Sequence, residues 1–262
     1  MTPGMCALLI GAGIAAGLSG SIAGLASLFS YPALLAVGLP ATAANVTNTV
    51  SLAVGSLSTI TSSRPDLVGQ SGVARRLAAI CALGGACGAG LLLLTPPGLF
   101  VRIVPFLVGG AAVLLLIGRQ APVALGERHA DFGPGRQRPS MTQRPTVLVG
   151  VLAVSVYGGY FGAAAGVLML ALLITVLPES LVRVNALKNV LLGLANVIAA
   201  VGFAAFGPVH WLAAVPLTGG LLLGSWFGPP VVRRLPANLL RIGIGVAGLA
   251  LAIKLGLDAF GP

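Results

Sequence analysis

The sequence predicts an all-α, polytopic membrane protein of about eight transmembrane helices, arranged as two four-helix repeats with broken first helices. Three observations carry this. Hydrophobic residues make up 57% of the 262 residues and charged residues only 8%, against about 25% charged in a soluble domain. Apolar stretches of the roughly 18 to 20 residues that cross a bilayer core as a helix recur from end to end. A β-barrel would show alternating segments of about ten residues instead. Finally, the second half of the chain echoes the first.

Reading from charge to charge, the expected spans are 5–37, 42–62, 77–94, 100–118, 146–177, 184–206, 211–228 and 239–257. The first and fifth are too long. About 33 residues of helix measure roughly 50 Å, well over a 30 Å core, so these spans are expected to be tilted or broken. Their interiors read "GLSGSIAGLASLFSYP" (17–32) and "YGGYFGAAAG" (157–166), rich in residues that weaken a helix or let backbones approach. The echo is also one of spacing: Gly20 precedes Asn45 by 25 residues and Asn45 precedes Arg102 by 57, while Gly159 precedes Asn185 by 26 and Asn185 precedes Arg241 by 56. Pro40 and Pro178, Gly84-Gly85 and Gly219-Gly220, and Pro96-Pro97 and Pro229-Pro230 follow in the same order. The chain therefore divides into a first transmembrane repeat (1–118), a polar Arg/Pro-rich connecting loop (119–145) and a second repeat (146–262). Transporters built from such repeats bind substrate near the midplane, where interrupted helices expose donors and acceptors. Tight packing alone would also account for the glycines.

The net charge of +10 does not signal nucleic acid. Thirteen of the fifteen basic residues are arginines scattered through short connections, where they set membrane orientation. Eight crossings would put nine basic residues on the N-terminal side and five on the other, with both termini in the cytoplasm. Around the second half the bias runs the other way, and an odd number of crossings per half would make the repeats inverted. No Lys or Arg precedes Arg64, so the first apolar segment lacks the basic n-region of a secretion signal and is expected to be retained. Cys6, Cys81 and Cys87 fall within spans without metal-ligand spacing, and His129 and His210 fall in connections. Nothing resembles a phosphate-binding P-loop. We therefore expect no enzyme, metal or cofactor.

The residues that a membrane should not contain mark the candidate site. All five acids (Asp66, Glu127, Asp131, Glu179, Asp258) lie in connections or near helix ends, so no deep carboxylate neutralises Lys188 in "VNALKNV" (184–190). A cation in a span costs at least about 2.5 to 3.5 kcal/mol and is expected to face a cavity, a partner or the interface. Asn185 and Lys188 share a helix face with Asn189 beside it, and the repeat-equivalent positions are Asn45, Asn48 and Thr49. If the halves pack about a pseudo-twofold axis, these patches converge on one site with donors and a single positive charge, which suits an anion. Helix N-termini at the breaks near Gly20 and Gly159 would add amides and a positive dipole end; Ser19, Ser21, Ser27, Tyr157 and Tyr160 would add hydroxyls. The competing reading is that Lys188 snorkels to the headgroups and that the asparagines and serines only bond neighbouring helices.

The stretches "GLSGSIAGLASLFSYPALLAVGLPATAANVTNTVSLAVGS" (17–56) and "VYGGYFGAAAGVLMLALLITVLPESLVRVNALKNVLLGLAN" (156–196) resemble the two repeats of the TauE/SafE family of sulfite and organosulfonate exporters. The resemblance implies a multi-pass plasma (inner) membrane transporter whose partners are the lipid bilayer and a small anion, a sulfur oxyanion or sulfonate, and it leaves homo-oligomerisation open. It departs from the family's pattern at Ala23 and Ser27, where the second half keeps Gly162 and Gly166. An anion channel, or a family member with another anionic substrate, are the alternatives.

Overall fold

The structure is a computed structural model that describes residues 1–67, 70–117, 145–177, 179–232 and 237–260. The expected connection at 119–144, with His129, and the marker Pro178 lie outside the described residues, as does the side chain of Ser21. Ten α-helices are described and no strand: α1 (Pro3–Ala23), α2 (Ser27–Ala36), α3 (Ala41–Ser63), α4 (Ser71–Leu94), α5 (Pro97–Ile117), α6 (Pro145–Tyr160), α7 (Ala165–Val176), α8 (Leu181–Phe206), α9 (Trp211–Val232) and α10 (Ala237–Phe260). A 3₁₀ turn, Arg64–Leu67, joins α3 to α4. The segments Pro3–Gly20, Gly72–Leu94, Pro97–Leu114 and Val182–Phe206 are by length and composition able to cross a membrane. The protein is an all-α polytopic membrane protein.

Both overlong spans are broken where glycine permits. α1 ends because Gly24 turns left-handed (φ 69°) and its N–H returns to the Gly20 carbonyl at 3.0 Å, a glycine helix stop. α6 ends at Gly162 (φ 75°), whose N–H reaches the Tyr157 carbonyl at 3.0 Å. Ala164 follows in the left-handed region (φ 57°), at a cost of roughly 1 to 2 kcal/mol for a residue with a Cβ. The left-handed glycine of the first break is thus Gly24. The turn glycine stands one residue after Ala23, where a glycine was expected.

The direction of each helix follows from which residues touch. Gly193 faces Ser56 and Ile60, and Gly207 faces Val46, so α3 and α8 are antiparallel. Gly109 faces Ala252 and Gly245 faces Leu116, so α5 and α10 are antiparallel too. Gly13 meets Leu217 and Gly220 while Gly17 meets Leu221 and Gly224, making α1 and α9 parallel. Gly84 meets Leu152 and Ser155 while Gly88 meets Val156 and Gly159, making α4 and α6 parallel. In these last two pairs the absent side chains bring backbones together, the main source of helix association where water supplies no driving force.

These directions do not let the broken helices run on across the bilayer. Gly150 faces Leu172 and Gly158 faces Ala165, so α7 folds back antiparallel on α6. Met1 shares a surface pocket with Val37, Gly38, Leu39, Pro40 and His210, so α1 begins on the face where α2 ends. Each broken helix is a re-entrant hairpin. The α1–α2 hairpin enters from the face where α3 begins, and the α6–α7 hairpin from the face where α8 begins. Since α3 and α8 are antiparallel, these are opposite faces. Three helices per half remain to cross. Exchanging the halves maps α1–α9 packing onto α6–α4, α3–α9 onto α8–α4, and α1–α2 onto α6–α7.

The charge distribution agrees. On this topology, among the described residues, Arg64, Arg75, Arg76, Arg183 and Arg241 lie towards the face where α3 ends and α8 begins. Only Arg102 and Lys254 fall towards the other face. The positive-inside rule makes the arginine-rich face cytoplasmic and puts both termini outside. This corrects the expectation of cytoplasmic termini, and it accounts for the opposing bias in the second half.

The hairpins meet at their tips. The backbones of Gly24 and Gly166 are in direct contact, and a Cβ on either would fall within the other residue's backbone.

Two predictions follow from this packing. Gly166→Val lowers stability in detergent by about 2 to 3 kcal/mol or prevents folding, whereas Gly11→Ala, in open space, changes it by less than about 0.5 kcal/mol; equal melting temperatures would mean the tips do not touch. In a chain with Cys6, Cys81 and Cys87 replaced, Thr2→Cys reacts with a membrane-impermeant maleimide on intact cells and Glu179→Cys only after lysis. The opposite pattern would overturn the orientation.

Candidate functional site

The hairpin tips enclose a cavity of about 90 Å³, room for several waters or a small oxyanion. α1 and α2 contribute Gly20, Gly24 and Ser27; α6 and α7 contribute Gly158, Phe161 and Gly166. α3 lines one wall with Thr49, Ser56 and Thr59, and α8 the other with Lys188, Asn189 and Asn196, while Ser225 of α9 closes a side. Ser56, Thr59, Lys188 and Asn189 lie in the halves of their helices nearer the face where α3 ends and α8 begins, and Thr49 and Asn196 just past the middle.

Lys188 is 1% exposed, which rules out snorkelling in this state. It stands two turns into α8, and its Nζ has no hydrogen-bond partner and no carboxylate partner among the described residues. The first turn of α7 points into the same space. There the Ala165 and Val167 amides bond to Gly162 and Ala164, but the Gly166 amide has no acceptor among the described residues. A first-turn N–H without an intrahelical acceptor is an anion donor. The hydroxyls are arranged differently: Thr49 donates to the Asn45 carbonyl (3.1 Å), Ser56 to Leu52 (2.8 Å) and Thr59 to Ser56 (2.9 Å). Each can exchange that backbone bond for a ligand by rotating. Asn189 donates to Ser63 at 3.3 Å, which ties the cavity wall to the end of α3.

Of the residues named from sequence, the structure brings Lys188, Asn189, Thr49 and Gly20 to the cavity, with Ser27. It places the others elsewhere. Asn185 sits one turn before Asn189, outside the lining. Ser19 donates to the Ala16 carbonyl within α1 (3.2 Å), and Tyr157 to the Ala163 carbonyl across the break after α6 (2.7 Å). Gly159 packs on the backbone of Gly85. Asn45 and Asn48 lie towards the outer face, where Asn45 Nδ2 bonds the Tyr160 carbonyl at 2.8 Å and the Ser30 hydroxyl meets Asn48 Oδ1. The converging patches are therefore not one site. Sequence reasoning missed Ser56, Thr59, Asn196 and Ser225. Ser56 and Thr59 continue the face of Thr49 at helical spacing and Asn196 that of Asn189, so the signal for three of them was present.

A family model described as "Sulfite exporter TauE/SafE" matches residues 9–255. The chain belongs to the TauE/SafE family. It is 28% identical to "Probable membrane transporter protein YfcA" of Escherichia coli (strain K12), over 100% of this chain and 93% of that protein. It is 27% identical to "Probable membrane transporter protein ORF9" of Sinorhizobium sp, over 98% of this chain and 95% of the relative. A "Probable membrane transporter protein" of Haemophilus influenzae is 25% identical over 97% and 95% respectively. No solved structure matches the chain.

A buried cation without a partner destabilises the fold that holds it. Lys188→Met, which keeps the length and removes the charge, therefore raises stability by about 1 to 3 kcal/mol, read as a higher melting temperature in detergent. A lower melting temperature would show that Lys188 has a structural partner.

Proposed function

We propose that this TauE/SafE protein carries a small anion, a sulfur oxyanion or sulfonate, out of the cell across the plasma membrane by alternating access. The observation that carries the reading is Lys188: a fully buried, unpartnered cation facing a cavity that also receives the first turn of a half-helix. An anion there gains the charge of Lys188, the Gly166 amide and the Asn189 and Asn196 amides, with its water replaced by fixed donors. The cavity's place on the cytoplasmic side suits loading from inside. The names of the family and of the relatives support a membrane transporter, and the family's name points to sulfite.

The repeat supplies the motion. We read residues 1–118 and 146–262 as two copies of one unit in inverted orientation, joined by 119–145. Equivalent residues from both halves line the cavity: Thr49 and Asn189, Leu52 and Leu192, and Ser56 and Asn196, each pair 140 residues apart. Inverted repeats exchange access by letting each copy take up the conformation of the other. Lys188 breaks the equivalence, because its counterpart Asn48 lies outside the cavity. No carboxylate lines the cavity, so a carboxylate proton relay has no support, and protons would travel on the substrate.

Purified protein in liposomes tests this with radiolabelled sulfite, sulfate and a small organosulfonate. The expected result is saturable flux of at least one, lost by a factor of about 100 or more in Lys188→Ala, since removing a charge-assisted contact costs about 2 to 5 kcal/mol, and partly kept in Lys188→Arg. Flux that rises linearly with concentration would indicate a channel. Undiminished saturable flux in Lys188→Ala would remove Lys188 from the site.

A further inference from the structure

Outside Phe161 lies a second set of polar groups with nothing to bond. Tyr31, Asn45 and Asn48 are 2%, 0% and 1% exposed. Among the described residues the Tyr31 hydroxyl, the Asn48 Nδ2 and the Asn45 Oδ1 have no hydrogen-bond partner. Burying such groups unsatisfied costs about 1 to 3 kcal/mol each, so three together are not ordinary packing. Their surroundings place them around one point, the tip of α6. Asn45 and Asn48 share a face of α3, and Asn45 holds the Tyr160 carbonyl. The Ser30 proton is shared between Asn48 Oδ1 and the Ala26 carbonyl, which leaves the Asn48 NH₂ pointing away. Tyr31, next in α2, sets its ring edge-on to Phe161 at 5.2 Å. Thr42, one turn nearer the outer face, adds a further buried oxygen without a partner. The stripe Thr42, Asn45, Asn48 thus leads to the outer surface.

We propose that Tyr31, Asn45 and Asn48 form a second, outer binding station for the same class of small oxyanion. It rests on the transport reading above and is separated from the Lys188 cavity by Phe161. Phe161 lines that cavity and also meets Tyr31 and Phe100 ring to ring, so one side chain touches both the cavity and the outer cluster. The donors are the Asn48 amide and the Tyr31 hydroxyl, while Asn45 Oδ1 accepts from a water carried with the ion. Asn48 is the repeat counterpart of Lys188. The inner station binds with a full charge and the outer one with neutral dipoles, so the outer station holds an anion more weakly and releases it.

The test uses full-length protein with Cys6, Cys81 and Cys87 replaced, carrying Ser30→Cys or Asn48→Cys, in right-side-out vesicles. The probe is 2-sulfonatoethyl methanethiosulfonate, an impermeant sulfonate. Ser30→Cys is nearly isosteric and guards against misfolding at Asn48. Both thiols are expected to react from outside at least about ten-fold faster than Ala199→Cys, a sealed core control, because thiol reactivity follows access. Adding Phe161→Ala opens them to the inner side as well. Tyr31→Phe lowers sulfite flux about five-fold or more for the loss of one hydrogen bond, while sulfite still raises the melting temperature through the inner cavity. If neither thiol reacts from outside, or both react only from the cytoplasmic side, the cluster is core packing and the proposal fails. Thr59→Cys in inside-out vesicles reports the Lys188 cavity separately: its silence alongside a reactive Ser30→Cys would sink the inner site and keep the outer one.

Discussion

The contact between Gly24 and Gly166 is the constraint on which the other features rest. Two re-entrant hairpins entering from opposite faces can meet only if neither tip carries a side chain, and here both backbones touch. The contact fixes how deep each hairpin reaches, and so where the free end of α7 lies. It also sets the order of events in the chain: the turn glycines Gly24 and Gly162 end α1 and α6 and let the chain double back. Doubling back makes the number of full crossings per half odd, so α3 and α8 run antiparallel. Most of the described arginines then fall on one face. Local backbone freedom at a few glycines thus decides the topology of the whole protein.

The second constraint is electrostatic. A membrane protein tolerates a buried lysine only where something repays its desolvation, and among the described residues nothing in the protein bonds Lys188 Nζ. The fold holds the charge in place instead. Lys188 lies between a wall of α3 and the hairpin tips, and the surrounding donors have their protons engaged with the backbone until a ligand offers a better acceptor. The unsatisfied cation, with Ala164 left-handed at the turn, concentrates strain at the centre of the molecule, which the proposed anion would relieve.

Much of this could be read from the residues, but not all by the same route. The breaks were legible because 33 apolar residues exceed a bilayer and the interior glycines say where a helix fails. Lys188 was legible because a charge without a carboxylate stands out against so apolar a background. The reversal at each break was not. Hydropathy reports that a segment is apolar and is silent about its direction, so a continuous tilted helix and a hairpin look alike. The one trace was in the charges, since the second half placed its arginines against the expected orientation. Asn45 and Asn48 were misplaced for a related reason: parallel packing of α3 and α8 would have brought them to Lys188, whereas antiparallel packing carries them to the opposite half of the membrane. Ser225 left no trace, because its role depends on how α9 packs.

In the proposed scheme, inversion also lets one backbone plan serve two unlike compartments. Ser56 and Asn196 line the same cavity from both copies, so either copy can present them. Lys188 and Asn48, by contrast, fall in opposite halves of the membrane. A cation on one and an amide on the other cannot alter the direction in which an anion moves at equilibrium, because that is set by its gradient. What the difference can set is the affinity on each side. In the proposed scheme, a charged station on the cytoplasmic side would fill at low internal concentration, and an uncharged one outside would empty even when the external concentration is appreciable. Directional use of a symmetric fold therefore needs little more than one residue that differs between the copies, at a position where symmetry does not force the two to coincide.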